Sequence, residues 1–141
     1  MLVDTEGNLL AVVVLPADVS DRDGAVLLLA GYAARYPDLV LIWGDSHYGG
    51  DLGAEILATF GIVMVVVSKA PEHDGFVPLP RRWVVERSFG WLTHCRRLAR
   101  DYEREPAYSE AWVYLAETHR LLKHLAPDPA LPVPYQRRDA A

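Results

Sequence analysis

The chain has 141 residues, of which 51% are apolar, and a formal net charge of −5, so it can bury the core of one domain. Its single cysteine, Cys95, excludes an internal disulfide framework and fits a reducing cytosol, so we expect a cytoplasmic protein. No apolar run approaches the ~20 residues of a membrane helix, and the start MLVDTEGN has no basic segment leading into an apolar one, so we expect no membrane association and no signal peptide.

Charge is distributed unevenly along the chain. Residues 1–80 carry three basic and eleven acidic side chains, residues 81–104 carry seven arginines and three acids, and residues 105–141 carry four basic and five acidic side chains. An acidic body followed by an arginine-rich segment is compatible with local binding to a polyanion. A solvated helix face explains the same pattern, so charge alone leaves both interpretations open.

The chain is predicted to begin with a β-hairpin and a helix. Residues 1–4 and 9–15 are the two strands of the hairpin, because an apolar, β-branched run follows the turn-like TEGN. A helix over about residues 21–36 follows, and either Asp21 or Asp23 can cap its amino end.

Strands and helices then alternate. Residues 39–43 and 62–67 are predicted strands, and between them lies a helix over Leu52–Phe60, which Asp51 can cap and Gly61 can end. This alternation predicts an α/β sheet with parallel crossover connections.

The second half is predicted to be largely helical. Residues 72–80 are a loop, residues 81–103 one long helix, and residues 109–125 a last helix. We therefore expect one domain over residues 1–125, followed by a flexible, proline-rich tail over residues 126–141.

The segment WGDSHYGG places polar groups at the carboxyl end of a buried strand, where α/β folds expose functional groups. One interpretation makes Ser46 the nucleophile of a GDSL-like esterase, but the Asp-x-x-His pair that such an enzyme needs is absent. A second makes Asp45 and His47 zinc ligands, but no other histidine or cysteine has ligand spacing.

A third interpretation makes Asp45 a ligand of Mg²⁺, which binds few carboxylates. The second carboxylate would come from Glu86, the interior acid of the long predicted helix. At 100° per residue, one line along that helix holds the glutamate and four arginines, namely Arg82, Glu86, Arg97, Arg100 and Arg104. Such a row suits nucleic-acid cleavage, because the acid can hold a metal ion and the arginines can bind phosphates. The simpler alternative is an ion pair between Arg82 and Glu86, four residues apart on an exposed helix face.

Four segments resemble a known family, the DDE transposases of bacterial insertion sequences and in particular the group named for insertion sequence 5. They are VDTEGNLLAVVVLPADVSDRDGA, WGDSHYGG, PLPRRWVVERSFGWL and RRLARDYE. The likeness covers about residues 2–125 and corresponds to the C-terminal part of the catalytic domain.

The resemblance implies three metal-binding acids in the complete enzyme. Asp45 matches the second acid and Glu86 the third. Arg82 matches an arginine four residues before the glutamate, whereas Leu79 stands where the family often has tyrosine and Thr93 where it has lysine.

The resemblance also implies a fold similar to ribonuclease H, a mixed sheet flanked by helices with strand order three, two, one, four, five. The first aspartate belongs on the first, central strand, which this sequence lacks. Asp18 cannot replace it, because that strand order puts Asp18 roughly 14 Å from Asp45. We therefore expect part of a working enzyme, either a frameshift product or a truncated or decayed gene copy.

In the complete enzyme, the resemblance implies two Mg²⁺ ions, phosphodiester cleavage and strand transfer. Its implied partners are DNA and either the missing N-terminal part of the transposase or further copies of the chain. Arginine side chains would contact DNA phosphates, namely Arg82, Arg97, Arg100 and Arg104. The alternative is a non-catalytic DNA-binding or regulatory transposase fragment, and an esterase using Ser46 is a weaker one.

Overall fold

Four short strands and four helices make up the part of the chain that the computed structural model describes, residues 1–67 and 82–126. The predicted loop at 72–80 and the predicted tail beyond residue 126 lie outside the described residues. In chain order, the elements are β1 (Leu2–Val3), β2 (Leu9–Ala11), α1 (Asp21–Tyr32), β3 (Leu41–Gly44), α2 (Leu52–Phe60), β4 (Val63–Val66), α3 (Arg82–Thr93) and α4 (Pro106–Leu125).

The predicted hairpin is present, and its turn is built on Asp4 and Gly7. The Asp4 carboxylate accepts the backbone N–H groups of Glu6 and Asn8, each at 2.8 Å. Gly7 has φ +88°, which favours glycine, and a Cβ added there would lie 2.9 Å from the Ser88 hydroxyl. β2 is shorter than the predicted strand over residues 9–15, because β1 offers only two residues for pairing.

β3 and β4 form the predicted parallel pair, with Leu41 opposite Val63 and Gly44 opposite Val66. α2 makes the crossover, and Gly61 ends it in the left-handed conformation, with φ +70°. One core joins α1, α2 and this sheet, and its buried members are Leu29, Ile42, Leu52, Ile56 and Ile62. The α/β architecture with a parallel crossover is therefore confirmed.

The strands form two separate two-stranded sheets within the described residues, the antiparallel pair β1–β2 and the parallel pair β3–β4. Leu2 of β1 nevertheless packs against the core cluster that includes Ile42 of β3. The two sheets thus share one apolar core without sharing a hydrogen-bond ladder.

The single long helix predicted over residues 81–103 is wrong, because α3 ends at Thr93. The Thr93 hydroxyl donates to the Gly90 carbonyl at 2.7 Å, and His94 N–H donates to Trp91 O, a bond to the third preceding residue that tightens the last turn. Turns and bends follow, until Pro106 at the first position of α4 restarts the helix.

α4 lies along the outer edge of the hairpin and bonds to its backbone. Three side chains of α4 accept N–H groups from β2 and from the chain after it, at 2.9–3.4 Å. The pairs are Glu117 with Leu9, Tyr114 with Val12, and Glu110 with Val14. This helix therefore covers an edge that would otherwise present unpaired donors.

Candidate metal and DNA site

Asp45 lies directly beyond the carboxyl end of β3, as the sequence predicts. It is the N-cap of a 3-10 turn, Ser46–Tyr48, and its Oδ1 accepts the backbone N–H of His47 at 2.9 Å. The His47 imidazole Nδ1 is 3.3 Å from the same oxygen. With 35% of its side chain exposed, Asp45 is anchored and still open to solvent.

Tyr48 packs against Gly44 at the end of β3, near two acids. Burial raises the pKa of Tyr48, and the negative charges of Asp21 and Asp45 raise it further. Gly44 makes room for the ring, since a Cβ there would lie 3.0 Å from Tyr48 Cδ2 and 2.5 Å from Met64 Cε.

The sequence interpretation treated Asp21 only as a possible helix cap, and that interpretation was wrong. Ser20 caps α1 instead, and its hydroxyl accepts Asp23 N–H at 3.1 Å. Asp21 is exposed at the start of α1 and lies near Tyr48. Its position in the first turn could be read from the sequence, but its closeness to Tyr48 depends on how α1 packs.

Glu86 lies on the solvent-facing side of α3. The opposite side of this helix is buried through Val84 and Ser88, and the Ser88 hydroxyl donates to the Gly7 carbonyl at 2.7 Å. α3 packs against β1 and α4. The exposed carboxylate is thus held on a helix that is fixed to the hairpin.

The described residues, 1–67 and 82–126, contain no group of three or more His, Cys, Asp and Glu side chains placed to hold a metal ion. Asp45 and Glu86 do have the hard oxygen donors that Mg²⁺ takes, and such sites use only one or two protein carboxylates. The donor chemistry of these two residues therefore fits a divalent ion.

The arginine row predicted on one helix face is wrong, because Arg97, Arg100 and Arg104 follow the end of α3. Arg97 donates to Glu103 Oε1 from Nε at 2.9 Å and from a terminal nitrogen at 2.6 Å. Its guanidinium also lies 5.4 Å from the ring centres of Tyr102 and Trp112. Arg97 therefore has a structural role in fixing the turn between α3 and α4.

The other predicted DNA contacts have different environments. Arg100 and Arg104 are exposed on the segment that joins α3 to α4. Arg82 is the first residue of α3, and its side chain lies outside the described part of the structure. They are not members of one helical row, and their role as phosphate contacts stays a prediction.

Two further arginines, which the sequence did not single out, stack on one tryptophan. Arg87 lies 4.6 Å and Arg120 4.3 Å from the ring centre of Trp91. Arg120 also donates to Glu117, and Arg87 donates to the Glu6 carbonyl. Arg87 and Trp91 are four residues apart on one helix, so their contact could have been predicted from the sequence. Arg120 is distant in sequence, so no local pattern predicts its contact with Trp91.

A groove of about 390 Å³ lies between β1 and β3, and we name it the inter-sheet groove. α1 forms one wall, and Asp21 and Tyr48 also line it. Its apolar lining includes Leu2, Leu15, Leu28 and Ile42.

Comparison with known proteins gives a consistent family. The model for the Transposase DDE domain family matches residues 1–118. A curated relative, the putative transposase for insertion sequence element IS402 of Burkholderia cepacia, is 29% identical over 124 residues. That alignment covers 82% of this chain and 57% of the relative, so the chain spans little more than half the relative's length.

No solved structure matches the chain. Within the described residues, none of the helices is long and apolar enough to cross a membrane.

Proposed function

The chain belongs to the Transposase DDE domain family, and from that membership we propose that it is part of a transposase that cleaves and joins DNA phosphodiester bonds during insertion-sequence transposition. The observation that carries the proposal is the family match over residues 1–118, which includes both Asp45 and Glu86. We assign it to the group named for insertion sequence 5, with a ribonuclease H-like catalytic domain. DNA is the expected partner.

Asp45 and Glu86 are proposed to hold Mg²⁺ in the complete enzyme. Divalent ions supply charge stabilisation at a phosphodiester that reacts. The hydrogen bond from the His47 backbone N–H to Asp45 Oδ1 orients this carboxylate at the end of β3. Glu86 lies on the side of α3 opposite its buried residues Val84 and Ser88. Arg82, Arg100 and Arg104 are proposed to contact DNA phosphates.

The chain is proposed to work with further transposase polypeptide, which supplies the first aspartate. One observation supports this: the chain spans only part of the length of its relative. The second candidate, which the same coverage permits, is a DNA-binding or regulatory fragment without catalysis. An esterase using Ser46 has no support from the family match.

A cleavage assay tests the proposal with Mg²⁺ and DNA carrying the ends of the element. We expect no cleavage by the chain alone and cleavage when the rest of the transposase is added. Asp45→Asn should lower the rate roughly 100-fold or more, because several kcal/mol of charge stabilisation are lost. The matched control is Asp51→Asn, which should keep the rate, because Asp51 is the exposed N-cap residue of α2 and its side chain makes no capping hydrogen bond.

Each alternative has its own result in the same assay. Robust cleavage by the chain alone would refute the proposed incompleteness. Salt-dependent DNA binding without cleavage in any combination would support the regulatory fragment. Loss of ester hydrolysis in Ser46→Ala, with Asp45→Asn unaffected, would support the esterase.

A further inference from the structure

Glu86 is followed directly by two residues that bond to the hairpin turn between β1 and β2. Glu86 itself is exposed, whereas Arg87 donates to the Glu6 carbonyl. Ser88 is buried, and its hydroxyl donates to the Gly7 carbonyl at 2.7 Å. The segment of α3 that carries the proposed metal ligand is therefore bonded to the turn at the next two positions.

The same turn also approaches α3 closely at Gly7. A Cβ added there would lie 2.9 Å from Ser88 Oγ, 3.0 Å from an Arg87 terminal nitrogen and 3.2 Å from Trp91 Cζ3. Three successive contacts along one side of α3 thus rest on a residue that has no side chain. A shift or rotation of the helix would break all of them together.

The turn is held in place by its own hydrogen bonds and by α4. The Asp4 carboxylate accepts the backbone N–H of Glu6 and both the backbone N–H and the side-chain amide of Asn8, each at 2.8 Å. From α4, Arg120 donates to Asn8 Oδ1 at 2.5 Å. Arg120 also donates to both carboxylate oxygens of Glu117, at 2.8 Å and 2.5 Å. The surface on which α3 rests is therefore bonded to the last helix.

A stack of three side chains closes the connection between α4 and α3. The guanidinium carbons of Arg87 and Arg120 lie 4.6 Å and 4.3 Å from the ring centre of Trp91, within the roughly 6 Å over which a cation and an aromatic ring attract each other. We name these three residues the arginine–tryptophan clamp. Since Arg87 also bonds to the turn, the contacts form a closed ring through the turn, α4 and α3.

The guanidinium of Arg120 serves contacts within the protein rather than a DNA phosphate. Only 24% of its side chain is exposed, and the carboxylate of its partner Glu117 is 8% exposed. A phosphate could recruit this guanidinium only by leaving a buried carboxylate without its partner, which is strongly unfavourable. Arg100, by contrast, is exposed on the segment between α3 and α4.

We propose that Arg120 is a positioning residue for Glu86, which acts through the arginine–tryptophan clamp and the hairpin turn to fix where α3 places this carboxylate. The inference rests on the proposed function, because the role of Glu86 as a metal ligand comes from it. Mg²⁺ demands near-ideal octahedral geometry with ligand distances of roughly 2.0–2.1 Å, so a carboxylate on a loosely held helix binds it poorly. Residues that orient metal ligands typically change metal affinity about 10–100-fold.

A double-mutant cycle between positions 120 and 86 tests the proposal. The full chain, with its transposase partner and DNA, is titrated with Mg²⁺ at a temperature at which circular dichroism shows every variant to be folded. Arg120→Lys keeps the charge but loses the planar group that stacks on Trp91, and we expect Mg²⁺ affinity to fall about tenfold. In a Glu86→Gln background, Arg120→Lys should cause no further loss, because the ligand that it positions is gone. Unchanged affinity in Arg120→Lys, or equal losses in both backgrounds, would overturn the proposal.

The matched control is an arginine that also stacks on a ring but lies outside the clamp. Arg35 is exposed in the 3-10 turn after α1, 5.0 Å from the ring centre of Tyr32. Arg35→Lys should keep the Mg²⁺ affinity of the unmodified chain. A tenfold loss in this control as well would show that the effect of Arg120→Lys is not specific to the clamp, and would overturn the proposal.

A pair of buried serines gives a second test if Arg120→Lys fails to fold. Ser88→Ala removes the bond to the Gly7 carbonyl and should weaken Mg²⁺ binding several-fold. Ser109, at the start of α4, is 8% exposed and donates to Asp101 Oδ1 at 3.0 Å, so Ser109→Ala removes a comparable bond outside the clamp. Ser109→Ala should bind Mg²⁺ normally, and equal affinities in the two serine variants would overturn the proposal.

A distance measurement without metal separates this inference from the proposed function. Spin labels at His47→Cys and Phe89→Cys, in a Cys95→Ser background, report the distance between the end of β3 and α3, and both native side chains are exposed. We expect a narrow distance distribution that becomes clearly broader when Arg120→Lys is added. An unchanged distribution would overturn the positioning role.

The two readouts fail separately. A broader distribution together with Mg²⁺ binding that Glu86→Gln does not weaken would support the positioning of α3 and refute the proposed metal site. Mg²⁺ binding that depends on Glu86, with both affinity and distance distribution unchanged in Arg120→Lys, would support the metal site and overturn the role of Arg120.

Discussion

The two edges of the β1–β2 hairpin differ in how their backbone groups are treated. On the outer edge, α4 lays Glu110, Tyr114 and Glu117 along the chain and accepts three N–H groups. On the inner edge, the inter-sheet groove separates β1 from β3. Leu2 of β1 packs against the core cluster that includes Ile42 of β3.

This difference shows that hydrogen bonds from α4 fix the outer edge of the hairpin. The N–H groups on the outer edge are partly buried, and side chains more than ninety residues away in sequence accept them. Holding those side chains in place costs conformational entropy. On the inner side, Leu2 makes an apolar contact with the core cluster that includes Ile42.

The largest expected effect comes from breaking the covered edge at Glu117. Its side chain is buried, accepts Leu9 N–H and pairs with Arg120. Glu117→Ala removes the acceptor of Leu9 N–H and the carboxylate partner of Arg120, which keeps only its bond to Asn8, and should lower the free energy of unfolding by about 2–3 kcal/mol in urea denaturation. The exposed Glu105, before α4, is the control, and Glu105→Ala should change it by less than ~0.5 kcal/mol. Equal losses in the two variants would show that α4 does not hold this edge.

A smaller loss of stability is expected from a change in the turn between β1 and β2. Gly7→Ala imposes a side chain at φ +88° and crowds the Ser88 hydroxyl, so we expect a loss of about 1–2 kcal/mol in unfolding free energy. Gly31→Ala in α1 has open space around the new Cβ and should stabilise by about 0.5–1 kcal/mol. Thermal denaturation of both variants checks the signs, and a stable Gly7→Ala protein would contradict the turn's role.

Arg97 positions the segment that precedes the covering helix. Arg97→Ala removes the Glu103 pair and two ring contacts, and because 47% of the Arg97 side chain is exposed we expect only about 1 kcal/mol of destabilisation. Arg100→Ala should leave stability unchanged but reduce the salt dependence of DNA binding by about one phosphate contact. If Arg97→Ala reduced that salt dependence without loss of stability, Arg97 would be a DNA contact after all.

The smallest effect concerns the pH dependence of the covered edge. Burial and a hydrogen bond to Tyr32 raise the pKa of Tyr114 from 10.0 to about 12. The folded state thus binds the phenol proton of Tyr114 more tightly than the unfolded state does. The stability that this proton contributes is complete below pH 10.0 and is lost as the pH rises towards 12. In Tyr114→Phe, denaturation curves across this window should decline less steeply, and an identical decline would contradict the assignment.

Local signals in the sequence located several elements well. Leu52–Phe60 is a helix with the predicted bounds, because Gly61 stops it through its own backbone preference. Asp45 was placed correctly after β3, because an apolar strand followed by polar residues is a local pattern.

Long-range contacts account for the errors. α3 ends at Thr93, and the Arg97–Glu103 pair lies in the turn beyond it, which helical periodicity does not anticipate. β2 stops at Ala11 because its length depends on β1, and the role of α4 as an edge cover depends on side chains distant in sequence. The closeness of Asp21 to Tyr48 likewise depends on packing.

The central claim is that Asp45 and Glu86 bind a common divalent ion, and a double-mutant cycle of Mg²⁺ affinity tests it most directly. Titration calorimetry would compare the full chain, Asp45→Asn, Glu86→Gln and the double variant, each with its transposase partner and DNA present. We expect either single change to remove most of the binding, so the two effects are strongly non-additive. Additive effects, or unchanged affinity in both single variants, would contradict a shared metal site.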